Sequence, residues 1–219
     1  MSTVIGIFIG GISLLEPEGH RTGIFKQPIA AGRVTATGLE GDHQADLRFH
    51  GGPEKALHHY AAENYTHLTA EFPALADALV PGSLGENLST FGWNEDNVHI
   101  GDVFRINRTV VQVAQPRSPC GKINHRFGID DLSKRIASRC MTGWYYRVLE
   151  FGSISVGDTF ELIEQQPDPI SILRFWEIVL NHRPSAGDLD KLCEIPALTE
   201  AWKRKLTERK AWLERVSSQ

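Results

Sequence analysis

Apolar and polar residues alternate through much of the first three-quarters of the chain, and a two-residue period is the mark of a half-buried strand. Val4, Ile5, Ile7, Phe8 and Ile9 make a first strand, and further strands are predicted over 32–37 and 109–114. Val98 to Ile106 and Ile154 to Leu162 each alternate around a Gly-Asp pair, which predicts short hairpins or tight strand connections. Strands this short and numerous predict a closed or nearly closed antiparallel barrel, since closure leaves no exposed edge.

One long helix is expected to interrupt the barrel. Gly51-Gly52-Pro53-Glu54 opens it, with proline suited to the first turn and glutamate complementing the helix dipole. Leu57, Tyr60, Ala61, Asn64, Tyr65 and Leu68 then recur at spacings of three and four until Pro73. His58 and His59 fall on this helix and read as surface and core-edge residues. A shorter helix is predicted from Asp130 to Arg139, with Leu132, Ile136 and Ala137 inward. The polar, proline-rich run Gln165-Gln166-Pro167-Asp168-Pro169 marks a boundary, placing a barrel domain at 1–165 and a helical domain at 166–219. Ile172, Phe175, Trp176, Val179 and Leu180 form one stripe there. Leu189 and Leu192 form a second, and Leu198, Trp202, Leu206, Leu213 and Val216 a third after Pro196. The fold class is mainly β with added helices: an antiparallel β-barrel plus a C-terminal three-helix appendage.

Composition narrows the functions available. The 219 residues are 41% hydrophobic, enough to fill a core, and a net charge of −4 argues against general nucleic-acid or membrane-surface binding. Residues 200–215 hold six Lys/Arg against three Glu, but no aromatic platform or reading motif accompanies them, so they read as a solvated helix face and no nucleic-acid partner is expected. No apolar stretch approaches membrane-span length, and no basic-then-apolar leader opens the chain. Three cysteines without a Cys-x-x-Cys spacing fit a reducing compartment, so a cytoplasmic location is expected.

Cys120 is the most informative residue. It follows the 109–114 strand on a loop that Pro116 and Pro119 hold extended, beside Arg117 and Lys122, cations that favour a nucleophilic, metal-binding thiolate. The run Gly38 to Gly52 is dense in polar side chains, including His43, Asp46 and His50, and its glycines let the backbone approach a ligand. Ending on a predicted helix N-terminus, it makes an anion cradle to which Lys26 could add a positive charge. His43 and His50 lack a third ligand at a zinc spacing. In a second glycine loop, Gly82 to Leu88, Glu86 and Asn87 could hydrogen-bond a heterocycle edge.

Taken in order, Phe25-Lys26, Gly38 to Gly52, Gly85-Glu86-Asn87-Leu88-Ser89, Val98 to Asp102 and Gln115 to Cys120 resemble the MOSC family, across nearly the whole chain. The resemblance implies a MOSC-type β-barrel, a bound molybdenum cofactor (molybdopterin), and reduction of N-hydroxylated compounds such as hydroxylaminopurine-type bases. It places Cys120 as the molybdenum ligand. It also places Lys26, His50, Gly51, Gly52 and Arg117 around the cofactor's phosphate and pterin, with Asn87 at the pterin edge. His43, Asp46 or His50 could deliver a proton. Electrons would come from a separate flavin or iron–sulfur reductase, because the chain has neither a dinucleotide fingerprint nor an iron–sulfur cysteine set. Pyridoxal phosphate is not expected. The rival reading is a carrier of molybdenum cofactor or sulfur without its own catalysis; whether the chain forms a homodimer is left open.

Overall fold

The computed structural model describes residues 2–17 and 19–217. The strands before the first long helix are β1 (Ser2–Ile9), β2 (Ser13–Leu15), β3 (His20–Thr22), β4 (Gln27–Ile29), β5 (Ala31–Thr35), β6 (Gly38–Leu39) and β7 (Leu57–Ala61). Helix α1 (Ala62–Glu71) leads to β8 (Leu88–Thr90), β9 (Val103–Ile106) and β10 (Thr109–Pro116). Then come α2 (Lys122–Phe127), α3 (Leu132–Ser138), β11 (Trp144–Glu150), β12 (Gly152–Ser155) and β13 (Thr159–Glu164). The chain ends in α4 (Ile172–Leu180), α5 (Ala186–Glu194) and α6 (Glu200–Ser217).

Strands pair in the order β13-β9-β10-β11-β7-β8-β1, and β1 returns to β13, so the sheet closes into a seven-stranded barrel with β4 as an outlying strand on β1. Closure runs through Ser2 opposite Phe160 and Thr3 opposite Thr159. Six of these seven neighbours are antiparallel; β7 and β8 run parallel, joined by a crossover through α1. The expected all-antiparallel barrel is corrected at that one pair.

The predicted long helix is corrected with it. Gly52 leads into a single 3-10 turn, Pro53–Lys55, and residues 57–61 are the strand β7, with helix only from Ala62. All five β7 residues are buried, so the alternation that marks a strand is erased. His58 and His59 are therefore neither surface nor helical; both are buried in the sheet. The two Gly-Asp segments are turns rather than hairpins. Glycine takes φ +95° at Gly101 and +93° at Gly157, and the following Asp102 and Asp158 carboxylates accept from the N–H groups of His99 and Ser155 at 2.8 Å. β12 then pairs with β5, while β13 pairs with β9 and β1.

The barrel is filled rather than hollow. Phe104 and Phe160 lie 4.9 Å apart between ring centres, His59 and Trp144 4.5 Å apart, and Tyr146 closes the cluster. The same apolar core continues without a gap into Phe175, Trp176, Leu189, Leu192, Leu198, Trp202 and Leu206 of the C-terminal helices. Trp176 Nε1 donates to Thr142 Oγ1 at 2.8 Å, and Arg147 donates to the Ala197 carbonyl at 2.9 Å, so polar bonds fasten the helices as well. Leu180 and Val216, expected inward, are exposed. A smaller cluster, Tyr60, Tyr65, Leu68, Leu84, Ile123, Leu132 and Ile136, packs outside the barrel beneath α1 to α3. No helix of the described residues is long and apolar enough to cross a membrane.

Candidate active site

Strand parity sets the site. Tyr145 pairs with His58 and Trp144 with His59, and successive side chains point to opposite faces. Trp144, Tyr146 and His59 enter the barrel core, so Tyr145 and His58 face outward, with ring centres 5.2 Å apart. Two adjoining clefts open on that outer face. The first, a slot of about 90 Å³, is lined by His43, His50, Gly51, His58, Gly85, Asn87, Arg117 and Cys120 among others. The second, of about 440 Å³, is lined by Asp46, Phe49, Ser118, Trp202 and Lys205 among others. His50, Lys55, Cys120, Lys122 and Tyr145 belong to both, and the half-buried Cys120 thus stands where the clefts meet. The other two cysteines, Cys140 and Cys193, line neither.

Arg117 leaves β10 with its N–H donating to Gly143 at 3.0 Å. Its guanidinium is buried; Nη2 donates to the Leu84 carbonyl at 3.2 Å, while Nη1 has no partner. His58 Nε2 is a second buried atom without a partner. Burial, then the nearby Arg117 charge, keeps His58 neutral by holding its pKa well below the usual imidazole range. Four cationic side chains, Lys26, Lys55, Arg117 and Lys122, line the slot against one carboxylate, Asp42.

Lys26 is not a free charge. Its ammonium meets Asp42 Oδ2 at 2.6 Å with both groups buried, and burial pulls its pKa down against the opposing pull of Asp42. Asp42 also accepts from Gly10 N–H (2.9 Å), Gln44 Nε2 (3.0 Å) and Asn87 Nδ2 (2.9 Å). Asn87 spends its second amide hydrogen on the Phe8 carbonyl at 3.2 Å, and its oxygen accepts from His58 N–H at 3.0 Å. Any pterin contact by Asn87 therefore falls to the remaining lone pair on that oxygen. Glu86, raised by burial, accepts from Tyr65 Oη at 2.6 Å and from Leu84 N–H at 3.2 Å. It braces the loop that presents Gly85 to the slot, and does not line the slot itself.

The remaining expected residues separate. Gly51 lines the slot at φ +78°, where an added Cβ would meet Gln44 Oε1 at 2.7 Å. Gly52 lines neither cleft and instead turns the chain into the short 3-10 turn, so the helix-end anion cradle expected there does not form. His43 faces the slot, and its N–H donates to Gly10 at 2.9 Å. Asp46 faces only the second cleft, and hydrogen bonds from Arg48 hold its pKa down to about 2, so it carries no proton to give near neutrality. His50 is lowered to about 4, first by burial and then by Arg117, Lys55 and Lys122.

Residues 46–161, more than half of the chain, match the family model described as the MOSC domain. The chain belongs to the MOSC family. It is 36% identical to protein YiiM of Escherichia coli over 208 residues, 94% of this chain and 92% of that one. The crystal structure of that YiiM superposes with a TM-score of 0.79 at 30% identity, covering 95% and 92% of the two chains. A protein of Gibberella moniliformis named "Reductase" is 36% identical over 163 residues, 74% of this chain but 29% of its own length.

Around the slot of this MOSC protein the residues that sequence reasoning missed are His58, Tyr145, Asp42 and Lys55. Parity beside the buried Trp144 and Tyr146 could have pointed to Tyr145; nothing local announces the Lys26–Asp42 pair. Among the described residues no group of three or more His, Cys, Asp or Glu is placed to hold a metal. The clefts offer one sulfur, two buried and unpartnered nitrogen atoms, and an excess of cations. A metal bound beside Cys120 would need most of its donors from outside the chain's described side chains. These side chains fit an anionic molybdenum cofactor: sulfur suits the metal, and Arg117 and the lysines suit its phosphate.

Proposed function

We propose that this MOSC protein is a molybdenum-cofactor-dependent reductase of N-hydroxylated compounds. The observation that carries the reading is Cys120 at the junction of two clefts, one of them with an unsatisfied, buried Arg117 nitrogen. The likeness to a relative named as a reductase supports the oxidoreductase class. When bound, the cofactor would supply a two-electron redox centre, with Cys120 as its protein ligand. The reaction consumes R–NH–OH, two electrons and two protons and yields R–NH₂ and water. The electrons come from a separate flavin or iron–sulfur donor.

The chain's own residues divide the remaining work. Arg117, Lys55 and Lys122 hold anionic oxygen atoms, and Arg117 does so from a buried position where an ion pair is weakly screened. His58 is a neutral imidazole available to a polar edge of the pterin. The Lys26–Asp42–Asn87 network fixes the slot wall and keeps its glycines near the ligand. Asp46 is held ionised by Arg48, so the relay falls to His43, and to His50 only once a bound anion offsets the burial and cations that lower it to about 4.

The test is metal and pterin content of protein from cofactor-competent cells, followed by turnover of 6-N-hydroxylaminopurine with reduced viologen. Wild-type protein should carry near-stoichiometric molybdenum and turn over, and Cys120→Ala should lose at least tenfold of both. Equal molybdenum in Cys120→Ala overturns ligation. Full loading without turnover leaves the cofactor-carrier reading instead.

A further inference from the structure

The second cleft is built differently from the slot. Aromatic side chains wall it: Tyr145, Phe49 and Trp202. A cation sits on each of those rings, with Lys205 Nζ 5.0 Å from the Trp202 ring centre, Arg48 Cζ 5.4 Å from that of Phe49 and Lys55 Nζ 6.0 Å from that of Tyr145. Lys205 is exposed and has no carboxylate partner among the described residues. It repels Lys55 across the cleft, a repulsion that an anion between them would relieve. The carboxylate nearby, Asp46, is taken up by its bidentate pairing with Arg48 at 3.0 and 2.7 Å. At about 440 Å³ the cleft falls within the roughly 300–1,000 Å³ usual for small-molecule sites. The C-terminal helix α6 supplies both Trp202 and Lys205, so this wall belongs to the helical part of the chain.

From this juxtaposition we infer that the second cleft is the substrate subsite and selects an aromatic N-hydroxylated base bearing an anionic group, read by Lys205 of α6. The inference rests on the reductase reading for the N-hydroxyl group, but not for the anion. Flat rings suit Tyr145 and Trp202. A phosphate or carboxylate suits the two ammonium groups, and Cys120 lines the same cleft where it adjoins the slot.

Cofactor-loaded protein is assayed with N-hydroxyadenosine, its 5′-monophosphate, and a carboxylate-bearing N-hydroxybenzamidine, with and without Lys205→Gln. Wild type should favour the monophosphate over the nucleoside at least tenfold in kcat/KM, mostly through KM. Lys205→Gln should cut that ratio about tenfold, and Lys191→Gln, an exposed lysine on α5, should leave it alone. A similar preference for the carboxylate over an uncharged benzamidine would mean that any anion serves; its absence would mean phosphate specifically. Equal kcat/KM for nucleoside and monophosphate overturns the inference. So does a Lys205→Gln protein that has lost its pterin, because the lysine then serves the cofactor. Should no N-hydroxylated compound turn over, the reductase reading fails by itself. Calorimetric titration with AMP against adenosine then decides the subsite: tighter AMP binding that Lys205→Gln weakens upholds it, and equal binding removes it.

Discussion

His50 shows how this site sets the chemistry of single residues. Burial and three cations lower its pKa to about 4, so the folded, cofactor-free protein declines a proton that the unfolded chain accepts near 6.5. A histidine depressed in the folded state costs stability as pH falls from 6.5 toward 4. His50→Asn removes that titration. Relative to wild type, the variant should gain about 2 kcal/mol between pH 7 and pH 4.5, read from urea unfolding of cofactor-free protein at each pH. An unchanged gap between the two proteins would show that His50 titrates normally. Anions brought beside Arg117 should move the imidazole back up, which an NMR titration with and without cofactor would register. At this scale much was legible: prolines and cations around Cys120 and Arg117 are local signals. His58 and Tyr145 were hidden because their role depends on which face of the sheet they take. Lys26 was half legible, since its partner Asp42 lies sixteen positions along the chain and meets it only after the loop has folded.

Between elements, Asn87 is the strut that joins β7, β1 and the Gly38–Gly52 loop through one amide. Replacing it with alanine leaves the buried His58 N–H without a partner and removes two donors at once. At about 1–3 kcal/mol for a stranded buried group, Asn87→Ala should lose roughly 2–4 kcal/mol in chemical unfolding and retain less pterin. A loss below about 1 kcal/mol would mean that water replaces the amide. The element next to this strut is also where the sequence misleads. Leu57, Tyr60, Ala61, Asn64, Tyr65 and Leu68 have helical spacing by coincidence, since β7 is covered on both faces and α1 starts immediately after it. Periodicity reports one-sided burial, and a strand buried on both sides has none to report. Where one face does meet solvent, as along β13, the alternation read true.

For the molecule as a whole, the continuous core decides how the chain behaves when cut. Residues 166–219 contribute Phe175, Trp176, Trp202 and Leu206 to the same apolar interior as Phe104 and Phe160. Their backbone also completes the barrel rim, where Ile100 N–H donates to Ile170 at 3.0 Å and Ile172 N–H to Val98 at 2.9 Å. A fragment of residues 1–165 should therefore aggregate or lack a cooperative melt, followed by circular dichroism and light scattering. A monomeric fragment with a sharp transition would establish an independent barrel domain. Another consequence lies in the seam where β1 meets β13. In the opening strand, Ile7–Ile9 gain β4 early on one edge and residues 88–90 take the other, yet Ser2 and Thr3 stay bare along the first edge until residues 159 and 160 are made. At about 5–20 residues per second, that edge is exposed during synthesis for very roughly 3–15 s. Nascent copies on one messenger are thus most open to sticking to each other in that interval, and slowing translation there should lower the yield of soluble protein.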